Sequence, residues 1–260
     1  VLALASATCK AKTIIVDKGG NGDFTSISAA ISNASDGDLI LIKPGVYQEN
    51  VVIENKNVSI VGEDKDNTVM EGASNGHVLR LSNVNGTTVS NLTIRGAIGT
   101  GNDCLILEYC TNVSITECII ESSQDSDGIT IYRCSNITVK GCEIRYNSQG
   151  SGIIMMFSSK NVITKNTIHG NQKGITVQYS SCYNRVVENT IEDNTLYGIW
   201  VISSSSNNVF SQNVFRNNNP NAEDKCQNFW YDPDEKKGNY WDDYQGKDAN
   251  HDGIGDTPYQ

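Results

Sequence analysis

The sequence predicts an all-β solenoid, a single-stranded parallel β-helix, on three observations. First, one motif recurs as "GITIYRCSN" (128–136), "GIIMMFSSKN" (152–161), "GITVQYSSCYN" (174–184) and "GIWVISSSSNN" (198–208), with its leading glycines 24, 22 and 24 residues apart. Second, a companion motif alternates with it: "NVSITECII" (112–120), "NITVKGCEI" (136–144), "NVITKNTI" (161–168), "RVVENTI" (185–191) and "NVFSQNVF" (208–215). Third, each motif alternates β-branched and polar residues in period two, the pattern of half-buried strands. No unit of this size buries its own apolar face, so the units must stack into one continuous core with rungs about 4.8 Å apart. A propeller blade would need about 40 residues and four strands per repeat.

The elements follow in order. Residues 1–11, "VLALASATCKA", read as a signal-peptide-like apolar segment, with Ala5 and Ala7 placed like a cleavage site. The coil is expected over 12–218. Its entry, 12–64, gives a strand, a Gly turn, a short amphipathic helix near Ser26–Ala34, and strands at Leu39–Ile42 and Val51–Ile53. A helix at the end of a solenoid covers an edge that would otherwise template aggregation. In the repeats, Leu105, Ile129, Ile153, Ile175 and Ile199 form one inward column. Leu107, Ile131, Met155, Val177 and Val201 form a second. "CLILEYCTN" (104–112) is one more copy, with Cys104 in the Gly slot. At one turn Cys118, Cys142, Asn166, Asn189 and Asn213 align, which suits left-handed backbone and an Asn ladder. Cys110 stacks on Cys134; both Cys pairs read equally as vertical disulfides or as buried thiols. Residues 219–260 form an irregular, aromatic and acidic C-terminal cap.

The bulk composition excludes some functions. A net charge of −10 argues against a nucleic-acid partner, which needs clustered Lys and Arg. No apolar run is long enough to span a bilayer as a helix. Eight cysteines in a chain that reads as exported suggest disulfides, and no C-x-x-C pair suggests zinc. Sequons at Asn33, Asn57, Asn85, Asn91, Asn112 and Asn136 fit export, although a chain rich in Asn, Ser and Thr also forms them by chance.

"GGNGDFTSISAAI…GDLILIKPGVYQENVVI…VSIVGE" resembles the N-terminal cap and first rungs of the pectin-lyase-like right-handed parallel β-helix superfamily. The later rungs and "GNYWDDYQGKDANHDGIGDTPY" (238–259) are similar to NosD-type, carbohydrate-binding-and-hydrolase-associated repeat proteins of cell surfaces. The resemblance implies the fold. It does not select among lyases, hydrolases, esterases, epimerases, adhesins and structural proteins.

Three candidate sites emerge. Asp103 and Asp127 occupy equivalent slots of consecutive rungs with Asp125 beside them, the arrangement an acid–base pair or a calcium ion would need. Turn chemistry explains the same residues, and the slot continues as Ser151, Lys173 and Tyr197, which places Lys173 two rungs away. By strand parity Tyr132, Ile154, Met156, Trp200 and Ile202 face outward, an apolar patch expected to meet a partner or to lie under residues 228–241 of the same chain. Finally, Asp248, Asn250, Asp252, Ile254 and Asp256 match an EF-hand-like calcium loop without its final carboxylate. The NosD resemblance invites a copper site, but His77, His169, His251, Met70, Met155 and Met156 form no visible cluster. The resulting expectation is an exported, calcium-stabilised protein of the cell surface with a structural or binding role. It would bind a second copy of itself, an envelope partner or a glycan. A carbohydrate-active enzyme is the alternative.

Overall fold

The computed structural model of the protein describes residues 11–247, 249, 257 and 259. The chain winds as a three-sided parallel prism. Among the described residues, sheet A has nine strands from Thr13–Val16 to Val209–Ser211, sheet B nine from Gly45–Gln48 to Tyr240–Trp241, and sheet C eight from Val51–Glu54 to Ala222–Asp224. Every named strand pair is parallel and joins consecutive coils, for example Leu105↔Ile129 and Ile129↔Ile153. The expected inward columns are in register, and all ten of their residues are fully buried.

The repeat's glycines have a steric cause. A Cβ on Gly128 would lie 2.7 Å from the Gly152 carbonyl oxygen and 2.6 Å from Asn147 Nδ2, so adjacent rungs approach too closely there for a side chain. The expected Asn ladder forms: Asn166, Asn189, Asn213 and Asn239 link amide to amide at 2.9–3.0 Å. Left-handed backbone, however, falls one residue earlier, at Glu117, Gly141, Lys165, Glu188 and Gln212. That residue turns the chain, and the Asn side chain then points inward and pairs the corner's amide groups. Two further ladders run through Asn147–Asn171–Asn194–Asn218 and Asn161–Asn184–Asn208–Asn228.

Disulfides were one expectation for the stacked cysteines. The seven described cysteines are free thiols. Cys110 and Cys134 instead begin a column continued by Ser158, Ser181 and Ser205, each accepting the backbone N–H of the rung before. Thiol and hydroxyl thus play the same part as the Asn amide.

The ends are closed by different means. At the start, the helix Ile27–Asn33 buries Ile27, Ala30 and Ile31. Its first N–H groups are held by Glu49, whose carboxylate accepts from Ile27 N and Ser28 N, both at 2.9 Å. At the far end, Trp230 stacks on Phe210 at 4.5 Å and Trp241 on Phe215 at 4.3 Å. These two tryptophans cover the last core phenylalanines, so residues 228–241 plug the end of the core. They do not cover the outward face of sheet C. The strand pairing also reaches into the cap, through Ala222–Asp224 on sheet C and Tyr240–Trp241 on sheet B.

The apolar segment 1–10 and the calcium-loop positions Asp248, Asn250, Asp252, Ile254 and Asp256 lie outside the described residues.

Candidate functional site

The loops entering sheet C and the outward positions of its strands enclose an open pocket of about 250 Å³. Its walls bring together residues from four coils. Asp125 and Asp127 come from one loop and Gln149 from the next. Lys173, Thr176 and Gln178 come from the strand Lys173–Gln178, and Trp200 from the strand below it. Ile154 forms the floor at 8% exposure. Part of each of two sequence candidates, Asp125 and Asp127 of the carboxylates and Ile154 and Trp200 of the apolar patch, therefore belongs to one site.

Asp103 stands behind the pocket rather than in it. It is 3% exposed, and its Oδ1 accepts from Ser126 Oγ at 2.6 Å and from Asp127 N at 3.1 Å. Its own N–H donates to His77 Nδ1 at 2.9 Å. Burial pushes the Asp103 carboxyl up and the His77 imidazole down from their ordinary values. Asp127 repeats the pattern one rung on, accepting Ser151 N at 2.5 Å through Oδ1. The residue is partly exposed on the pocket wall, and the Ser151 side chain also donates to its carboxylate. Burial pushes Asp127 up to about 6, with the Asp103 charge adding to the shift, while the Ser151 N–H and Lys173 oppose it.

Lys173 completes the site. It lies two rungs from the carboxylates, and a lysine stem reaches across such a gap. Its ammonium lies 5.5 Å from the centre of the Trp200 ring and bonds Gln172 Oε1 at 3.0 Å. Trp200 is fixed in turn: its ring stacks on Tyr197 at 5.3 Å and 6°, and its Nε1 donates to Glu223 Oε2 at 2.9 Å. Carboxylate, amides, ammonium and a braced indole in one concavity can grip a polyhydroxylated ligand, with hydrogen bonds to hydroxyls and a flat apolar wall.

The outward patch is thus divided. Ile154 and Trp200 line the pocket, while Tyr132, Met156 and Ile202 are half-buried outside it. Gln149 sits in a turn with no repeat partner of its kind, and no sequence signal singles it out. Thr176 and Gln178 were visible only as outward positions of a strand.

The sequence model of NosD, described as a periplasmic copper-binding protein, matches residues 31–246. A probable ABC transporter binding protein NosD from Stutzerimonas stutzeri is 33% identical over 122 residues, covering 38% of this chain and 27% of that one. A pectinesterase/pectinesterase inhibitor from Ficus pumila var. awkeotsang is 32% identical over 94 residues, covering 34% of this chain and 16% of the relative. The chain therefore spans well under half the length of these curated relatives. Among solved structures, the catalytic domain of a GH87 α-1,3-glucanase superposes with a TM-score of 0.64 at 17% identity, over 95% of this chain and 50% of that one. These likenesses place the fold in the right-handed parallel β-helix superfamily.

Copper fits poorly to the described residues. No three of their His, Cys, Asp and Glu side chains cluster as a metal site. Met70 and Met155 are core residues, and His169 bonds Glu143 at 3.2 Å on sheet B, away from His77. Cys104 is buried, and its thiol is pushed up to about 12 by that burial, opposite to what a thiolate ligand requires.

Proposed function

The chain belongs to the NosD family, and on that premise we propose that it is an exported binding protein that holds a glycan in the sheet C pocket. One observation carries this reading: Asp127, Lys173 and Trp200, from three different coils, converge on a single open concavity. Carboxylate and amide groups are the usual partners of vicinal hydroxyls, and an indole face supplies a flat apolar contact. The periplasmic character of the family agrees with export, and a cell-surface location is part of the proposal. Calorimetric titration with a panel of oligosaccharides tests it. Binding that falls at least tenfold in Trp200→Ala and in Asp127→Asn is expected. A bound glycan indifferent to both changes would refute the pocket as its site.

A second reading, a carbohydrate-active enzyme, is favoured by the Asp127 carboxyl at about 6, a value suited to a general acid. It predicts slow glycan turnover that is lost in Asp127→Asn while binding persists.

A further inference from the structure

The turns that lead from sheet C to sheet A stack along one edge of the prism. In successive rungs they read YCTN (109–112), RCSN (133–136), FSSK (157–160), YSSCY (179–183) and SSSSN (203–207). They contain Arg133 and Lys160 but no Asp or Glu, in a chain with 30 acidic and 20 basic residues. Arg80, Arg95, Arg145, Arg185 and Arg216 each lie within 4.0 Å of a carboxylate. Arg133 has no such partner among the described residues. Its guanidinium instead lies 5.8, 5.4 and 5.5 Å from the ring centres of Tyr109, Tyr132 and Phe157. Phe157 stacks on Tyr179 at 5.4 Å, and Tyr109, Phe157 and Tyr179 are all nearly half exposed.

Tyr109, Arg133, Phe157 and Tyr179 all have φ between 51° and 55°, the left-handed turn geometry that Asn55, Asn83 and Ser203 take in other rungs, and all four side chains are exposed. An aromatic ring over a guanidinium also leaves its in-plane N–H groups available to an anion. Sheet C links this edge to the pocket: Arg133 lies six positions after Asp127, about 20 Å of extended chain at ~3.3 Å per residue.

We propose that this edge is a second contact for the pocket's ligand and that the ligand is an anionic glycan. Its acidic group lies against Arg133 and Lys160, and its rings lie against the exposed aromatic side chains. Resting on the glycan reading of the pocket, this adds a substrate class. At the pocket end two carboxylates, Asp125 and Asp127, face one ammonium, Lys173, so an acid is less favoured there than at the edge, where the turns hold cations alone. A carboxylated and a sulfated sugar satisfy the same guanidinium.

The test uses the full chain and three probes of equal length: an oligogalacturonate, its fully methyl-esterified form, and a sulfated carrageenan oligosaccharide. At least one acidic probe should bind at least tenfold tighter than the neutral ester, and raised salt should weaken it. Arg133→Gln combined with Lys160→Gln should remove that preference, lowering affinity for the acidic probe at least tenfold more than affinity for the ester. Both positions are solvent-exposed turn sites, and matching thermal unfolding midpoints verify that the variant is folded. The carrageenan arm separates sulfate from carboxylate recognition. The proposal is overturned if no probe binds, if wild type shows no acidic preference, or if the double variant keeps it. Should Trp200→Ala weaken every probe while the double variant weakens none, the pocket reading survives and the edge assignment falls.

Discussion

Replacing Asp127 by Asn should stabilise the protein at neutral pH while impairing its site. Asn keeps the Oδ1 acceptor for the Ser151 N–H, so the rung contact survives. The change removes the cost of holding a carboxylate in a buried setting. An ordinary aspartate titrates near 3.8, and burial pushes this one up to about 6. At 1.36 kcal/mol per tenfold change in proton affinity, that difference is worth about 3 kcal/mol. The sign follows from the raised folded value. Below pH 3.8 both states hold the proton and the penalty is absent. Between 3.8 and 6 the unfolded chain ionises first, so the fold loses stability as pH rises. Above about 6 the loss is complete. Urea unfolding of wild type and Asp127→Asn should therefore differ by up to ~3 kcal/mol in favour of the variant at pH 7, and by less than ~1 kcal/mol at pH 4. A variant equally or less stable at pH 7 would show that the carboxylate is stabilising and that the pocket stores no such cost.

Other perturbations test the scaffold. Asn189→Ala strands the buried Asn166 N–H, which donates to Asn189 Oδ1 at 3.0 Å, and takes one of two acceptors from Asn166 Nδ2, which keeps Val139 O; this should cost about 2–4 kcal/mol in denaturant unfolding. Cys142→Ala in the same column loses weak sulfur contacts, to carbonyls at 3.5 and 3.7 Å and to the Cys118 thiol and N–H, and should cost about 1–2 kcal/mol in the same assay. Burial alone would push Glu49 up, but donors from Ser28, Ile27 and Ser26 outweigh it and hold the carboxyl below its usual range. Glu49→Gln should therefore cost about 1–2 kcal/mol at pH 7, and the gap to wild type should close as pH falls below the ordinary glutamate value, a trend that circular dichroism melts at two pH values would read. Trp230→Ala uncovers Phe210 and should lower stability by about 3 kcal/mol, measured by thermal unfolding, without changing glycan affinity.

Much of the scaffold was legible because its rules are local. Period-two alternation chose the inward residues, and the near-constant repeat length set which of them stack. The columns headed by Leu105 and Leu107 were therefore correct in both membership and burial. The helix near Ser26–Ala34 was legible for the same reason, and Ser26 does cap it, accepting Ala29 N. The Asn ladder was visible as a column of one residue type, but its mechanism was not. The strained backbone sits on the preceding residue, whose identity varies from Glu to Gly to Lys.

The site divided differently. Parity gave the direction in which Ile154 and Trp200 point but not their exposure. Ile106, Thr130, Ile154 and Thr176 all point outward and are all buried, because each lies between ladder neighbours and under the loops that enter sheet C. The carboxylates and the aromatic patch looked like separate candidates because they lie in different motifs. A pocket is made by the reach of side chains between rungs, so Lys173 joins Asp127 across two coils. Likewise, sequence placed an aromatic segment at 228–241 without showing what it covers. Trp230 and Trp241 found the open end of the core, where two phenylalanines lacked a next rung. The sequence by itself thus determined the solenoid and its columns, since both follow from spacing along the chain. Only the tertiary structure decided which outward groups form a concavity and which plug an end, since both depend on residues remote in the chain meeting in space.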